Sequence, residues 1–472
     1  MTTAVPQDAP PPDLAPRDEE GELRADFVDA VTQAVEAGDP ARTLELLGDL
    51  HEADMGAVLE AIEHDLRPRL VELMGREFDF AALTEVEDSV REDILEELPT
   101  ETIAEGVHEL ESDDALTILE DLPQEEQEEI LEALPALERV ALRRSLDYPE
   151  GSAGRLMQTS MVTAPPFWTV GQLLDHIHDA LGEEAPDSFF DVFVVDPAHR
   201  FLDNVFLDRL LRARRSQRLD ELMDSERRRV HVDDDQEEVA RVFERYNLVS
   251  APVVDEGERL VGMITIDDVV DVIEQEADED IKALGGVSAS EQLSDSVWWT
   301  ARSRFLWLTV NLVTAFAAAA VISRFEGQIQ QMVALAVLVP IVASQGGNAA
   351  TQTMTVAVRA LATRELTSAN ARRIILREAA VGGLNGLAFG VITGMVAGAW
   401  YGLPGLGVVM TLAMITNLVF GALGGILIPM LLEKLDADPA VASSPFVTTV
   451  TDVVGNLAFL GFATLYFGLG SA

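Results

Sequence analysis

The stretch PIVASQGGNAATQTMTVAVRAL, residues 340–361, is apolar enough to lie in a membrane, yet polar groups recur along it. These groups are Ser344, Gln345, Asn348, Thr351 and Gln352. Between them, Gly346 and Gly347 permit close backbone approach or a local break of the helix, which a bilayer tolerates only against protein or water. Glycines that serve helix packing, with polar groups that bond across helices, are one explanation. The whole run, taken with an aspartate in the last apolar segment, favours a water-filled pathway.

This stretch belongs to one of five long apolar segments, near residues 305–323, 331–357, 374–400, 406–432 and 446–470. Each has roughly the twenty residues that are needed to cross a bilayer core. The loop after the second segment is rich in arginine, whereas the loop after the third carries no charge. By the positive-inside rule, the arginine loop and the soluble N-terminal half face the cytoplasm. Five crossings then leave the C-terminus outside a bacterial or archaeal cell (inner) membrane.

The fifth segment contains one charge, Asp452, within VTTVTDVVGN at residues 447–456. A carboxylate in hydrocarbon is costly and is retained where it has a function. Thr451 directly precedes it, and Thr448, Gly455 and Asn456 lie about one helical turn away. One explanation is a carboxylate that caps a broken helix. The other is an ion site of hard oxygen groups, which suits Mg²⁺ because this ion sheds its waters reluctantly.

Glu378, at the inner end of the third segment, is a second candidate for the ion pathway. Ion pairing with the nearby arginines explains this residue equally well.

Charge is divided sharply along the 472 residues, whose net charge is −49. Residues 301–472 hold nine basic and seven acidic residues, which leaves 24 basic and 75 acidic residues to the first 300. Such an acidic surface would repel phosphates, which argues against nucleic-acid binding. Cysteine is absent, so disulfides and thiolate metal sites are excluded. The first 22 residues are Pro-rich and acidic, and we expect them to be a disordered tail.

Residues 23–151 show apolar positions three and four apart, which predicts an acidic helical domain. A phrase recurs there as ILEELP (94–99), ILEDLP (118–123) and ILEALP (130–135). Each copy ends a helix at a proline. Recurrence at 24 and 12 residues favours stacked short helices in a superhelical repeat domain, with an irregular helical bundle as the alternative.

Residues 152–273 alternate short β-branched runs with helical stretches in two copies of one plan. This region resembles a tandem pair of CBS domains, most closely in LVSAPVVDEGERLVGMITIDDVVDVI, residues 248–273. The first copy is degenerate, with Asn204 at the position where the pattern usually has glycine. CBS pairs can hold adenine nucleotides such as ATP, and Thr265 and Asp268 match the element that commonly contacts the ribose. The plainer explanation is a threonine at a helix N-cap.

Residues 274–300 form a charged linker that we expect to be a connecting helix, ahead of a membrane domain at 301–472. Acidic side chains form a stripe at helical spacing from the end of the CBS pair into this linker. The stripe contains Asp268, Asp271, Gln275 and Glu279, and Glu276 and Asp280 lie beside it. Alone, such a stripe is usually a solvated helix face.

Over nearly its whole length, the chain resembles the MgtE family of magnesium transporters. The fold class expected is therefore multidomain: an α-helical superhelical N-terminal domain, an α/β CBS-domain pair, a connecting helix and an all-α membrane domain of five transmembrane helices. The resemblance implies a homodimer with one central pore, lined by the second and fifth crossings. It implies that Asp452 and its copy in the second subunit select a hydrated Mg²⁺. The family often has asparagine where this chain has Thr351 and Ser444.

The resemblance also implies regulatory Mg²⁺ sites in the acidic part of the chain. Their residues would be Asp235, Glu237, Asp268, Asp271, Glu276, Glu279 and Asp280, with Asp113 in the N-terminal domain. Thr117 stands where the family has a companion acidic residue. Like charges a few ångströms apart repel by about 1 kcal/mol or more per close pair. We therefore expect the acidic surfaces to separate at low Mg²⁺, and Mg²⁺ to bridge them and close the pore.

Other functions remain compatible with the sequence. The transported ion could be another divalent cation, such as Co²⁺ or Mn²⁺. A membrane-anchored metal or nucleotide sensor would need no transport, although it would also not need polar residues in two crossings. The sequence shows no arrangement typical of a hydrolase or a nucleotide-cleaving enzyme, so we do not expect an enzyme.

Overall fold

The computed structural model describes residues 15–181, 186, 189–223, 228–292, 295–367, 369–435 and 437–469. Most of the predicted tail lies outside these residues. The chain divides into two compact units, one up to Gln275 and one from Glu276 onward.

The N-terminal part of the first unit is helical, as predicted. Its helices are α1 (Ala25–Ala37), α2 (Pro40–Leu47), α3 (Glu52–Ala61), α4 (Arg67–Met74), α5 (Asp88–Glu97), α6 (Thr100–Glu109), α7 (Ser112–Glu120), α8 (Gln124–Ala133) and α9 (Ala136–Leu146). Helix α6 packs on α8 and α7 packs on α9, in addition to contacts between sequence neighbours. Stacking of alternate helices is typical of a helical repeat and favours it over an irregular bundle.

The recurring phrase has one structural role in all three places. Its isoleucine and two leucines are buried in each copy, so the phrase supplies three core residues per repeat. Pro99, Pro123 and Pro135 occupy the N-cap positions of α6, α8 and α9. Proline lacks the N–H that a helix interior requires, so each one separates two helices.

The rest of the first unit contains two three-stranded sheets with the same strand order. They are β1 (Thr163–Ala164), β2 (Asp191–Val195) and β3 (Phe201–Phe206), then β4 (Val230–His231), β5 (Ser250–Val254) and β6 (Leu260–Thr265). In each, the first strand is parallel and the third antiparallel to the central strand. The accompanying helices are α10 (Ala153–Leu156), α11 (Val170–His176), α12 (Leu207–Arg212) and α13 (Gln236–Tyr246). This is the predicted CBS pair.

The strand registers correct one detail of the first copy. Both sheets shift register at the end of the central strand, and Asp203 pairs there as Gly262 does in the second sheet. The residue at the glycine position is therefore Asp203 and not Asn204. A Cβ at Gly262 would lie 2.6 Å from Met157 Sδ, so the second copy needs glycine at this point.

The acidic stripe lies on one helix, α14 (Ile266–Leu284). This helix begins directly after β6, earlier than the linker start predicted at residue 274. Thr265 is its N-cap residue: its N–H and its hydroxyl both donate to Asp268 Oδ2, at 3.1 and 2.7 Å. This is the plainer of the two explanations for the Thr-x-x-Asp element.

The second unit contains the five predicted apolar helices, each long enough to cross a membrane. They are α15 (Val297–Ser323), α17 (Ala334–Ala362), α18 (Ala371–Tyr401), α19 (Pro404–Glu433) and α20 (Pro439–Phe467), with the short α16 (Glu326–Gln331) between the first two. In α20 the apolar span is Pro445–Phe467. Helix α19 contacts α17, α18 and α20 and is the centre of the unit.

Helices α18 and α19 approach closely through a row of glycines. Gly382, Gly386, Gly390 and Gly394 are buried, and a Cβ on any of them would lie within 2.9 Å of an α19 backbone atom. Small residues at every fourth position allow such backbone contact between helices in a membrane.

Candidate ion pathway and metal sites

Asp452 is the only charged residue of α20, and its side chain is half-buried. The preceding Thr451 is fully buried, and its hydroxyl donates to the carbonyl oxygen of Thr448 at 2.8 Å. On the next turn, Gly455 and Asn456 are buried. Asp452 is therefore half-buried, with buried polar residues next to it and one turn away along its helix.

Helix α17 runs beside this part of α20. A Cβ at Gly347 would lie 4.0 Å from Thr451 Oγ1, so the glycine pair of α17 and the threonine next to Asp452 are neighbours. The structure therefore brings the two predicted pathway segments together within one protomer.

The polar face of α17 is exposed at Asn348, Thr351 and Gln352. These three side chains, with Gln345 of α17 and Asn385 of α18, line a cavity of about 370 Å³. Asp452 does not line this cavity. Asn385 was missed from the sequence, although an amide in the middle of an apolar span is a signal in itself.

Glu378 does not line this cavity and contacts other residues. Its side chain lies 3.7 Å from Arg377 and within 3.4 Å of the Thr353 hydroxyl, which donates to it. Thr353 lies on the buried side of α17, away from the exposed amides. The contacts favour ion pairing, one of the two explanations open for Glu378.

A first acidic cluster lies in the first unit, where Asp113 and Asp114 of α7 meet Asp268 of α14. The carboxyl groups of Asp113 and Asp268 are close enough to interact directly. Burial, and then the charge of Asp268, hold the pKa of Asp113 well above its usual range. The same two causes raise the pKa of Asp114 to about 7.

One oxygen of Asp113 is especially informative. Its Oδ1 is buried and has no hydrogen-bond partner among the described residues. A buried carboxylate in this state requires a proton or a cation, because its desolvation is otherwise uncompensated.

The acidic residues of the predicted stripe lie in different environments. The pKa of Asp271 is raised by burial and by the charges of Glu274 and Asp267. The charge of Asp271 also raises the pKa of Glu85, although burial is the larger cause of that shift. Glu52, Glu85, Glu111 and Asp114 belong to these surroundings but were not predicted.

Asp235 and Glu237 have local roles in the structure. Asp235 is the N-cap of α13 and accepts from the Glu237 backbone N–H at 2.9 Å. The Glu237 carboxylate pairs with Arg241 one turn later, at 3.1 Å.

A second acidic cluster lies in the second unit, where the end of α14 meets the start of α20. Burial raises the pKa of Glu279, and the charges of Glu276 and Asp438 add to the effect. Burial also raises the pKa of Asp280, with Asp438 next in effect, and Arg359 opposes it. Asp438, the N-cap residue of α20, was not predicted.

Within the described ranges, no group of three or more carboxylate or imidazole side chains is arranged to hold a metal ion. Both clusters instead offer pairs of carboxylates with neighbouring acids. Mg²⁺ usually binds through one or two carboxylates and keeps several waters, so such pairs fit it.

Three positions depart from the family pattern, and one of them, Thr351, lines the cavity beside α17. The Thr117 hydroxyl donates to the Asp113 carbonyl oxygen at 3.3 Å, within its own helix. The side chain of Ser444 lies outside the described residues.

The CBS pair contains a small cleft between its two sheets. Asn204, Phe206, Arg228, Leu248 and residues 250–252 line it. Thr265 and Asp268 do not line this cleft, and their side chains are bonded to each other.

Comparison with known families agrees with this architecture. Residues 339–462 match the sequence profile of MgtE, described as a divalent cation transporter, and residues 50–151 match the MgtE intracellular N domain. Residues 219–275 match the CBS domain. The chain also shares 36% identity with the magnesium transporter MgtE of Thermus thermophilus, over 72% of this chain and 74% of that protein. The chain belongs to the MgtE family.

Other MgtE proteins are similar over the same extent. The magnesium transporter MgtE of Bacillus subtilis is 31% identical over 71% of this chain and 74% of its own length. A crystal structure of the cytosolic domain of the Mg²⁺ channel MgtE in complex with ATP has 28% identity and a TM-score of 0.48, covering 52% of this chain and 99% of that one. The MgtE membrane profile spans α17 to α20, the helices that carry the candidate pathway.

Proposed function

We propose that this chain transports Mg²⁺ selectively across a cell membrane, as a homodimer, along a pathway formed by α17 and α20. The observation that carries the proposal is Asp452, a lone half-buried carboxylate in an apolar helix, which follows Thr451, the neighbour of Gly347 in α17. A carboxylate among neutral oxygens attracts a divalent ion without removing all its waters. The magnesium transporters among the relatives support the choice of ion.

Orientation is part of the proposal. The arginine-rich segment between α17 and α18 would face the cytoplasm, with the first unit on the same side. Transport, and not enzymatic catalysis, would be the activity.

The proposal includes closure by cytoplasmic Mg²⁺. The two acidic clusters support it, because each collects carboxylates whose pKa values are raised by burial and mutual repulsion. Pairs of carboxylates would hold Mg²⁺, such as Asp113 with Asp268 in the first unit and Asp438 with Glu279 or Asp280 in the second. Asp114 and Glu276 would be their neighbouring acids. Bound Mg²⁺ would neutralise the repulsion and stabilise the closed state over the open one. ATP binding at the CBS pair remains a prediction.

Reconstitution into liposomes tests the transport proposal directly. Purified protein should carry Mg²⁺ inward down its gradient, and excess Mn²⁺, Co²⁺ or Ca²⁺ outside should compete poorly. Asp452→Ala should remove the flux, whereas Thr464→Val on the same helix should not, since that hydroxyl bonds only to Leu460 of its own helix. Efficient flux of Co²⁺ or Mn²⁺ instead would assign another divalent cation. No flux of any ion from folded wild type would favour the sensor.

A further inference from the structure

Asn417 lies in the middle of α19 and is completely buried. Its side-chain Nδ2 donates to the carbonyl oxygen of Val342 in α17 at 2.8 Å. Its Oδ1 is buried without a hydrogen-bond partner among the described residues. A leucine would fill a similar volume without the cost of an unsatisfied amide oxygen. Packing alone therefore does not explain an amide here.

The amide of Asn417 occupies a notch made by two glycines. A Cβ at Gly346 of α17 would lie 2.0 Å from Asn417 Nδ2, and a Cβ at Gly455 of α20 would lie 2.5 Å from the same atom. No side chain carbon fits at either position unless Asn417 moves. The amide of Asn417 thus lies where α17 and α20 both meet α19.

Both glycines adjoin the proposed ion pathway. Gly346 precedes Gly347 and Asn348, and Gly455 follows Asp452 by one turn. The contact between Gly347 and Thr451 joins the same two helices directly, and Thr451 precedes Asp452 in the chain. The notch therefore lies where the separation of α17 and α20 affects the position of Asp452.

We propose that Asn417 is a positioning residue for the ion site. Its hydrogen bond to Val342 fixes the register of α17, and its fit against Gly455 fixes α20, so that Asp452 is held at one distance from α17. A hydrated ion is recognised through its water shell, and small changes in the spacing of oxygen groups change which ion fits. The inference rests on the proposed function, since its main readout is ion selectivity.

The test uses the full chain in liposomes and measures the ratio of Mg²⁺ to Ca²⁺ flux together with thermal stability. Asn417→Leu keeps the branched shape of the side chain and removes the hydrogen bond, and it should lower the ratio about tenfold, as loss of supporting contacts does at metal sites. The matched control is Thr416→Val, whose hydroxyl bonds only to Leu412 of α19. It should leave the ratio unchanged.

Variants of the α20 glycines test the notch independently of Asn417→Leu. Gly455→Ala places a methyl group against the amide and should lower the ratio, and adding Asn417→Ser should restore part of it by making room. Gly461→Ala is the control on the same helix, because a Cβ there meets nothing within 4 Å. This pair decides the question if Asn417→Leu does not fold.

A third readout does not depend on transport. The chain has no cysteine, so Gly347→Cys with Thr451→Cys introduces the only thiols. They should form a disulfide within one protomer, and this cross-linking should be slower in the Asn417→Leu variant. Equal cross-linking and an unchanged flux ratio in Asn417→Leu would overturn the inference. The proposed function would still stand in that case if the wild type showed selective Mg²⁺ flux. Absence of Mg²⁺ flux in wild type would instead remove the proposed function, and cross-linking would still test the position of the helices.

Discussion

The first acidic cluster and Asp452 use carboxylates in opposite ways. In the cluster, burial is the main cause that raises the pKa values of Asp113, Asp114 and Asp268, and the charges of neighbouring acids add to it. Asp452 is the only charged residue of α20, whose other polar side chains are hydroxyls and one amide. Crowded carboxylates respond to the concentration of a divalent ion, since binding relieves repulsion. An isolated carboxylate provides a fixed charge, which is suited to choosing an ion.

The largest expected effect is at the isolated charge. Asp452→Asn keeps the shape and removes the charge, so Mg²⁺ flux should fall on the order of a hundredfold. Discrimination against monovalent ions should be lost as well. Flux assays with Mg²⁺ and K⁺ in liposomes measure both. Wild-type selectivity in this variant would show that the charge of Asp452 has no part in the pathway.

A smaller effect is expected when two charges of the crowded first cluster are removed. Asp113→Asn with Asp268→Asn should raise the internal Mg²⁺ concentration that closes the pore by about tenfold, because neighbouring acids still attract the ion. The variant should conduct normally at low Mg²⁺. The control is Glu101→Gln with Glu125→Gln, two exposed acids on α6 and α8. If the test variant and control have the same inhibition curve, the cluster is not the sensor.

The pH dependence of stability follows from the pKa of Asp114, which burial raises to about 7 from 3.8. Because the folded state holds this proton more tightly than the unfolded state, the contribution is stabilising at low pH and is lost as the pH rises through 7. Without divalent ions, the midpoint of thermal unfolding of residues 1–285 should therefore fall between pH 5 and 8. Asp114→Asn should make the fall smaller. A midpoint that is flat over this range in wild type would contradict the burial of a repelled acid.

The smallest effect concerns the whole acidic surface. Fragment 1–285 should become more compact in millimolar MgCl₂, since a divalent ion can link two carboxylates. NaCl at matched ionic strength should compact it less, because it only screens charge. Small-angle scattering compares the radii of gyration. Equal compaction by both salts would indicate that the acidic half serves only as a solubilising surface.

Part of the candidate site could be read directly from the sequence. Asp452, Asn348 and Gly347 are conspicuous because polar groups and paired glycines are rare in apolar spans, and the structure places their helices side by side. Glu378 was equally conspicuous, but its contacts with Arg377 and Thr353 depend on how α17 and α18 pack. Asp114, Glu85 and Asp438 could not be selected among 82 acidic residues, because only the tertiary structure brings them near other acids.

The sequence by itself determined the helical repeat, the CBS pair and the five apolar spans, because periodicity, proline positions and hydropathy act locally. It also determined the sharp division of charge between the two halves. Only the tertiary structure decided that Asp203, and not Asn204, takes the position of Gly262, because strand register depends on a bulge. The tertiary structure likewise decided which acids are buried together and that Asn417 fits between Gly346 and Gly455. These outcomes depend on contacts between residues far apart in the chain, which no local pattern encodes.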